Sequence, residues 1–207
     1  MISFVYPWIN PGGFAEKELR MSLRSLEENV LGDYRVFVIG DCPATLADIV
    51  YVPHDRTLTG HHAKCVDAVR KLELAIATPQ IGEHFVYMAD DIALLQPFHP
   101  NDLAKPVALY EVLDGQVLLN KINDALVQRT VNALRERGLK RVWYYETHMP
   151  RLFEKRKLQE IISLYKPAEN GLMIPTLYFN HFWPEQEPTL LHKADNILAR
   201  CTGRDSE

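Results

Sequence analysis

The first half of the chain alternates between two hydrophobic periods, and that alternation restricts the fold more than any other feature. Ile2 to Trp8 is a dense, short apolar run that stops at the cluster Asn10-Pro-Gly-Gly13, as a strand ending in a turn does. Leu19, Leu23, Leu26 and Val30 then recur at helical spacing, with Glu16 and Glu18 in the first turn and Gly32 as the stop. Tyr34 to Gly40 contains the uninterrupted run Val36-Phe-Val-Ile39, the pattern of a strand covered on both faces. Asp48 to Pro53 is another short β-like run. Cys65, Val69, Leu72 and Ile76 mark a second helix, and His84 to Met88 a strand that runs straight into Ala89-Asp90-Asp91. The order β-α-β-β-α-β with short connections predicts an α/β domain whose central sheet is mostly parallel and flanked by helices. In such sheets ligands sit at the carboxyl ends of the strands. Those ends carry Tyr6-Pro7, Gly40-Asp41, Pro53-His54-Asp55 and Asp90-Asp91.

The second half is less regular. Pro106 to Val112 and Arg141 to Tyr145 read as strands, and Ile122, Leu126, Thr130 and Leu134 line a helix stopped by Gly138. Leu152 to Tyr165 reads as a helix, Met173 to Phe182 as an aromatic strand, and Leu190 to Arg200 as a closing helix. With no internal repeat and no linker, 207 residues make one domain, 1–207. Apolar residues at 47% and charged residues at 24% exclude a disordered or fibrous chain. The amino-terminal run has no basic flank and meets Pro7 too early for a secretory leader. No stretch approaches the roughly 18 apolar residues of a membrane span. Cys42, Cys65 and Cys201 are odd in number and scattered. Together these features predict a cytoplasmic protein with reduced thiols and no membrane span.

Asp90 and Asp91 carry the sharpest chemical signal. Adjacent carboxylates at the end of a buried strand raise each other's pKa, and a divalent cation relieves the repulsion. A hard cation held by only one or two carboxylates keeps positions free for substrate phosphates. The same two residues also suit a loop in which an Asp caps the next element. The stretch Phe85-Val-Tyr-Met-Ala-Asp-Asp-Ile92, followed by Leu94-Leu-Gln-Pro-Phe98, resembles the metal-binding signature of GT-A fold glycosyltransferases. There an Asp-x-Asp or Asn-Asp-Asp element ends a central strand and holds Mn²⁺ or Mg²⁺ on the diphosphate of a sugar nucleotide. The sequence departs from that pattern at Ala89, where the family usually has Asp or Asn.

Further segments resemble successive conserved regions of the Stealth group, GT-A-like enzymes that transfer sugar 1-phosphates. These are Ile2-Ser-Phe-Val-Tyr-Pro-Trp8, Glu18-Leu-Arg-Met-Ser-Leu-Arg-Ser-Leu26, the run Val36 to Pro43 and the Asp-Asp strand. Glu146-Thr-His-Met-Pro-Arg151 is similar to that group's His-x-Pro region. The likeness spans residues 2–98 and, more thinly, 146–165. It implies a single GT-A-like, Rossmann-like domain, with a nucleotide-sugar and metal half to about residue 98 and an acceptor half over 99–207.

The resemblance also implies roles for individual residues. Asp91 would be the direct metal ligand, and Asp90 would contact the sugar, the ribose or a metal-bound water. Tyr6, Pro7 and Trp8 would form the wall against the nucleotide base, with Asp41 accepting a hydrogen bond from base or ribose. Gly60-His-His-Ala-Lys-Cys-Val-Asp67 opens a helix, whose first-turn N–H groups and dipole favour an anion. Lys64 adds a point charge suited to a diphosphate. The adjacent His61 and His62 point apart and make poor joint ligands. A late histidine often completes the metal shell, and His181, after an aromatic run that reads as a strand, is preferred to His192. His148 suits acid–base work or phosphate binding. Asp114 and Glu146 are the carboxylates placed to deprotonate an acceptor hydroxyl.

The net charge of −4 conceals an asymmetry. Residues 129–157 hold nine Lys or Arg and three acids, a net +6, which leaves −10 on the rest. Such a segment, with Trp143, Tyr144, Tyr145 and Phe153 interleaved, suits an anionic partner. The leading expectation is a metal-dependent glycosyltransferase that uses a UDP- or GDP-sugar with Mn²⁺ or Mg²⁺ and acts on a carbohydrate or other hydroxyl acceptor. The alternatives are a sugar-1-phosphate transferase, an enzyme glycosylating a modified DNA base through the basic segment, and a non-catalytic nucleotide-binding domain.

Overall fold

Each short apolar run of the first half forms a strand, and each helical stripe forms a helix, in a computed structural model that describes residues 1–10, 15–43, 45–56, 63–113 and 121–191. Strand β1 (Ile2–Trp8) leads through helix α1 (Ala15–Asn29) to β2 (Tyr34–Gly40) and β3 (Ile49–Pro53). Helix α2 (Ala63–Ala77) follows, then β4 (His84–Tyr87) and a 3-10 turn at Pro100–Leu103. Two-residue strands β5 (Val107–Ala108) and β6 (Tyr110–Glu111) precede helix α3 (Lys121–Arg135) and strand β7 (Trp143–Tyr144). Strand β8 (Arg151–Glu154), helices α4 (Lys155–Tyr165), α5 (Pro167–Asn170) and α6 (Ile174–Phe182) and strand β9 (Thr189–Leu190) complete the order.

The central sheet has the order β3-β2-β1-β4-β8, in which the first four strands are parallel and β8 is antiparallel. This is an α/β fold with a mixed, mostly parallel sheet. Alternate residues of each strand feed two cores. Phe4, Tyr6, Trp8, Val36, Val38, Val86 and Met88 pack against Leu19 and Leu26 of α1. Val5, Phe37, Ile39, Phe85 and Phe153 pack on the other side against Val69 and Leu72 of α2, Leu158 and Ile161 of α4, and Leu177 and Tyr178 of α6. The chain lays β1, β2 and β3 in one direction, then crosses back to add β4 on the other side of β1. The carboxyl ends of β1 and β4 therefore flank the switch point, where sheets of this kind form their ligand crevice.

Four sequence expectations differ from the structure. The helix expected from Leu152 begins at Lys155, because residues 151–154 pair with the free edge of β4. The strand expected over Met173 to Phe182 is instead helix α6, Ile174–Phe182. Its aromatic residues suit strands, but Pro175 in the first turn and burial on nearly every side fit a core helix. Thr189 and Leu190 pair with β5 instead of opening a helix, and residues 192–200 lie outside the described set. The strand expected over Pro106 to Val112 is two short ones, β5 and β6, the second paired with β7. No helix among the described residues is long and apolar enough to cross a membrane.

Candidate active site

The acidic pair occupies a tight turn directly after β4. Met88 N–H still donates to the Val5 carbonyl at 2.9 Å, and Ile92 N–H closes back on the Ala89 carbonyl at 3.3 Å. Asp90 and Asp91 are the two central residues of that turn. Polar residues of α1 hold it in place. Ser22 Oγ donates to the Ile92 carbonyl and lies 2.9 Å from the Tyr6 hydroxyl. Ser25 Oγ accepts from Leu94 N–H at 2.9 Å, and Asn29 Nδ2 donates to the Leu94 carbonyl at 3.0 Å. The strand end, the acidic turn and the helix over it are thus one hydrogen-bonded unit.

The loop between β7 and β8 delivers the second component. Thr147 N–H turns back onto the Tyr145 carbonyl at 2.8 Å, and the Arg151 guanidinium donates to the carbonyls of Tyr145 and Thr147. This clamp projects His148, whose Nδ1 lies 3.4 Å from Asp91 Oδ2. Their side chains are 69% and 47% exposed, so solvent screens the pair and it adds little to stability. The hydrogen bond with Asp91 raises the His148 pKa, and the same bond lowers that of Asp91. Asp90 is shifted upward, chiefly by burial and further by the Asp91 charge. Two neighbouring carboxylates are thereby set apart, one ionised and paired, the other reluctant to ionise.

Glu146, two residues before His148, turns inward. Its Oε1 accepts from Thr176 N–H at 3.2 Å and Thr176 Oγ1 at 3.0 Å, in the first turn of α6. Burial raises its pKa, against the opposing effect of Arg151 and the Thr176 bonds. Asp41 is half-buried, and its Oδ2 accepts from Asn10 N–H at 2.6 Å, closing the loop after β1. Lys64 is exposed in the first turn of α2.

Two expected sites need correction. Tyr6 and Trp8 were expected to wall a nucleotide base, but both are 0% exposed and belong to the α1-side core. As alternate residues of a strand they face the same helix, so only Pro7 and the backbone remain at that strand end. His181 sits on α6 rather than after a strand. Its Nδ1 lies 2.9 Å from the Tyr165 hydroxyl and its Nε2 3.5 Å from Glu160, both on α4. It joins two helices and is not brought to the acidic pair. Asp114, His61, His62 and His192 lie outside the described residues.

A buried ionic cluster beneath the rim is not apparent from the sequence. Asp67 and Lys71, each 3% exposed, pair at 2.8 Å. Lys71 Nζ donates to the Trp8 carbonyl at 2.9 Å, and Asp67 Oδ1 lies 3.1 Å from His54 Nε2. Gly40 packs onto the same carbonyl, where a Cβ would come within 1.9 Å of it. The available signal was an i,i+4 acid–base pair next to Leu72 in the apolar stripe of α2.

The basic segment is dispersed. Arg141 makes a two-pronged pair with Glu111 at 2.9 Å and lies over Trp143. Lys155 donates to the Thr78 carbonyl at 2.7 Å, and Lys157 pairs with Glu154 at 2.8 Å. Arg137 lies over Tyr165, and Arg129 donates to the Gly171 carbonyl.

Among the described residues no cluster of three or more His, Cys, Asp or Glu forms a complete protein cage for a metal. Asp90 and Asp91 are hard oxygen donors whose mutual repulsion a divalent cation would offset, which fits the mode in which phosphates and water supply the other ligands. No protein-family model matches the sequence, and no curated protein matches it. Function has to be read from the chemistry of the rim.

Proposed function

We propose that the chain is a transferase that moves a sugar from a nucleotide-sugar donor to an acceptor hydroxyl, with Asp91 and His148 at its centre. The supporting observation is the pairing of these two side chains, from separate halves of the chain, beside the switch point of the sheet. Asp91 engages Nδ1, so Nε2 is the ring nitrogen left to act on substrate. In the proposed step that nitrogen takes the proton of the acceptor hydroxyl as its oxygen attacks the anomeric carbon. The bond from that carbon to the diphosphate oxygen breaks, and a nucleoside diphosphate leaves. Asp90 and Asp91 would hold Mn²⁺ or Mg²⁺, which when bound supplies positive charge opposite the leaving diphosphate. Lys64 is a second source of positive charge for it.

The position of His148 favours one other reading. It lies in the segment similar to the Stealth His-x-Pro region, and the same base would serve attack on the sugar-bearing phosphorus. The phosphoanhydride bond would then break, releasing a nucleoside monophosphate and transferring a sugar 1-phosphate. Incubation with Mn²⁺, UDP- and GDP-sugars and methyl glycoside acceptors separates the two by the nucleotide released. Diphosphate indicates glycosyl transfer, and monophosphate indicates sugar-phosphate transfer. Release of neither above the level of a His148→Ala variant would overturn both.

A further inference from the structure

On the α2 side of the sheet lies a cavity of about 240 Å³, whose wall includes Tyr87 at the end of β4. The segments that wall it are the ones that carry the proposed reacting groups. Tyr87 comes three residues before Asp90, Glu146 two before His148 and Arg151 three after it. Most of the remaining wall is apolar, with Phe153, Leu172 and Ile174 on one side and Ala68 and Val69 of α2 on another.

The polar groups in this wall are incompletely matched. Glu146 uses Oε1 for Thr176, and no donor among the described residues reaches its other oxygen. The Tyr87 hydroxyl has its pKa pushed up to about 12, chiefly by burial, so it keeps its proton, and it has no hydrogen-bond partner among the described residues. Arg151 Nε is buried without a partner among the described residues. Lys64 also lines the cavity, but it is exposed and stands at the mouth; deeper in, an anion would face Glu146 and a cation Arg151, so a neutral group is favoured there. A neutral group that both donates and accepts is a hydroxyl, and several hydroxyls on a ring with apolar C–H faces match both kinds of wall. Pockets for drug-sized ligands run to roughly 300–1,000 Å³, so this smaller one suits one ring rather than two.

We infer that the cavity receives a single pyranose ring, with hydroxyls on Glu146 and Tyr87 and its apolar face against Phe153 and Leu172. The inference rests on the transferase reading for what the ring does, and donor and acceptor sugars share the chemistry that the walls recognise.

The test compares wild type, Tyr87→Phe and Ala68→Phe, the last of which fills the cavity. Calorimetry in Mn²⁺ measures UDP, GDP, UDP-glucose and GDP-mannose. Saturation-transfer NMR measures methyl glucoside, methyl mannoside and methyl N-acetylglucosaminide. If the ring is the donor's, a nucleotide sugar binds more tightly than its nucleoside diphosphate. That advantage falls about three- to tenfold in Tyr87→Phe and disappears in Ala68→Phe, while the diphosphate itself binds all three proteins alike. If the ring is the acceptor's, a methyl pyranoside gives a saturation-transfer signal that weakens in Tyr87→Phe and vanishes in Ala68→Phe. Sugar binding that is unchanged by either substitution, or no sugar-dependent binding in wild type, overturns the inference. Should Ala68→Phe not fold, Tyr87→Phe decides alone. Pyranoside binding lost on filling the cavity, without nucleotide binding or transfer, would sink the transferase reading and leave the pocket standing.

Discussion

Asp91 and His148 were both legible as residue types, since a carboxylate after a buried strand and a histidine before a proline suit acid–base or phosphate chemistry. Their contact was not legible, because it depends on how the β7–β8 loop is clamped by Arg151. The contact has a consequence for titration of the metal-free protein. Asp91 stabilises the protonated imidazole and raises the His148 pKa above its ordinary 6.5. Asp91→Asn removes the stabilising charge, so the ring is expected to lose its proton at lower pH. NMR titration of the His148 ring in both metal-free proteins measures this, and an unchanged midpoint would show that the pair does not form in solution. His148→Ala is expected to lower kcat by about 10²–10⁴-fold. Because the side chain is exposed, its melting temperature should stay within what a surface substitution of about ±0.5 kcal/mol produces.

Among the elements, β1, β2 and β4 were legible because period and burial agree there: each run is short, apolar and stopped by a turn signal. Residues 151–154 and α6 were not, for opposite reasons. A four-residue strand that passes directly into a helix lends its apolar residues to the helical pattern. A helix buried on nearly every side shows no amphipathic stripe and looks strand-like when rich in aromatics. The joint between β1, β2 and α2 was also hidden, since Lys71 reads as a surface residue. Buried, it ties α2 to the Trp8 carbonyl at the rim and neutralises Asp67. Among the described residues Lys71→Met leaves Asp67 with His54 alone, and breaking a buried pair by removing one partner costs about 3–5 kcal/mol. For a chain of this size each kcal/mol lowers the melting temperature by roughly 2–4 °C, so a fall on the order of 10 °C is expected in a thermal melt. Asp67→Leu/Lys71→Met, which removes both charges, should recover most of that loss. A double variant no more stable than Lys71→Met would show that the Trp8 contact, and not the lone carboxylate, dominates.

For the molecule as a whole, topology and charge bear on function in different ways. The switch point lies between β1 and β4 because β3, β2 and β1 fill one side of the sheet, and this brings the acidic turn and the β1 end to one rim. Charge does not converge in the same manner. Of the nine basic residues of 129–157, at least Arg129, Arg137, Arg141, Arg151, Lys155 and Lys157 make contacts with the protein itself. Their partners lie on β6, β8, α4, the turn after α2 and the loops before β8 and α6, so a +6 that is contiguous in sequence is divided among different parts of the fold. A nucleic-acid backbone needs cations in register along one track, and each neutralised phosphate contributes about −0.9 to the slope of log K against log salt. Were the segment one patch, a slope of about −5 would be expected for its net six charges. With the charges divided, duplex DNA is expected to bind weakly, with a slope no steeper than about −2. Fluorescence-anisotropy titrations of a labelled duplex across a salt series measure it. A slope near −5 would restore nucleic acid as a partner and, with it, a modified base as the acceptor.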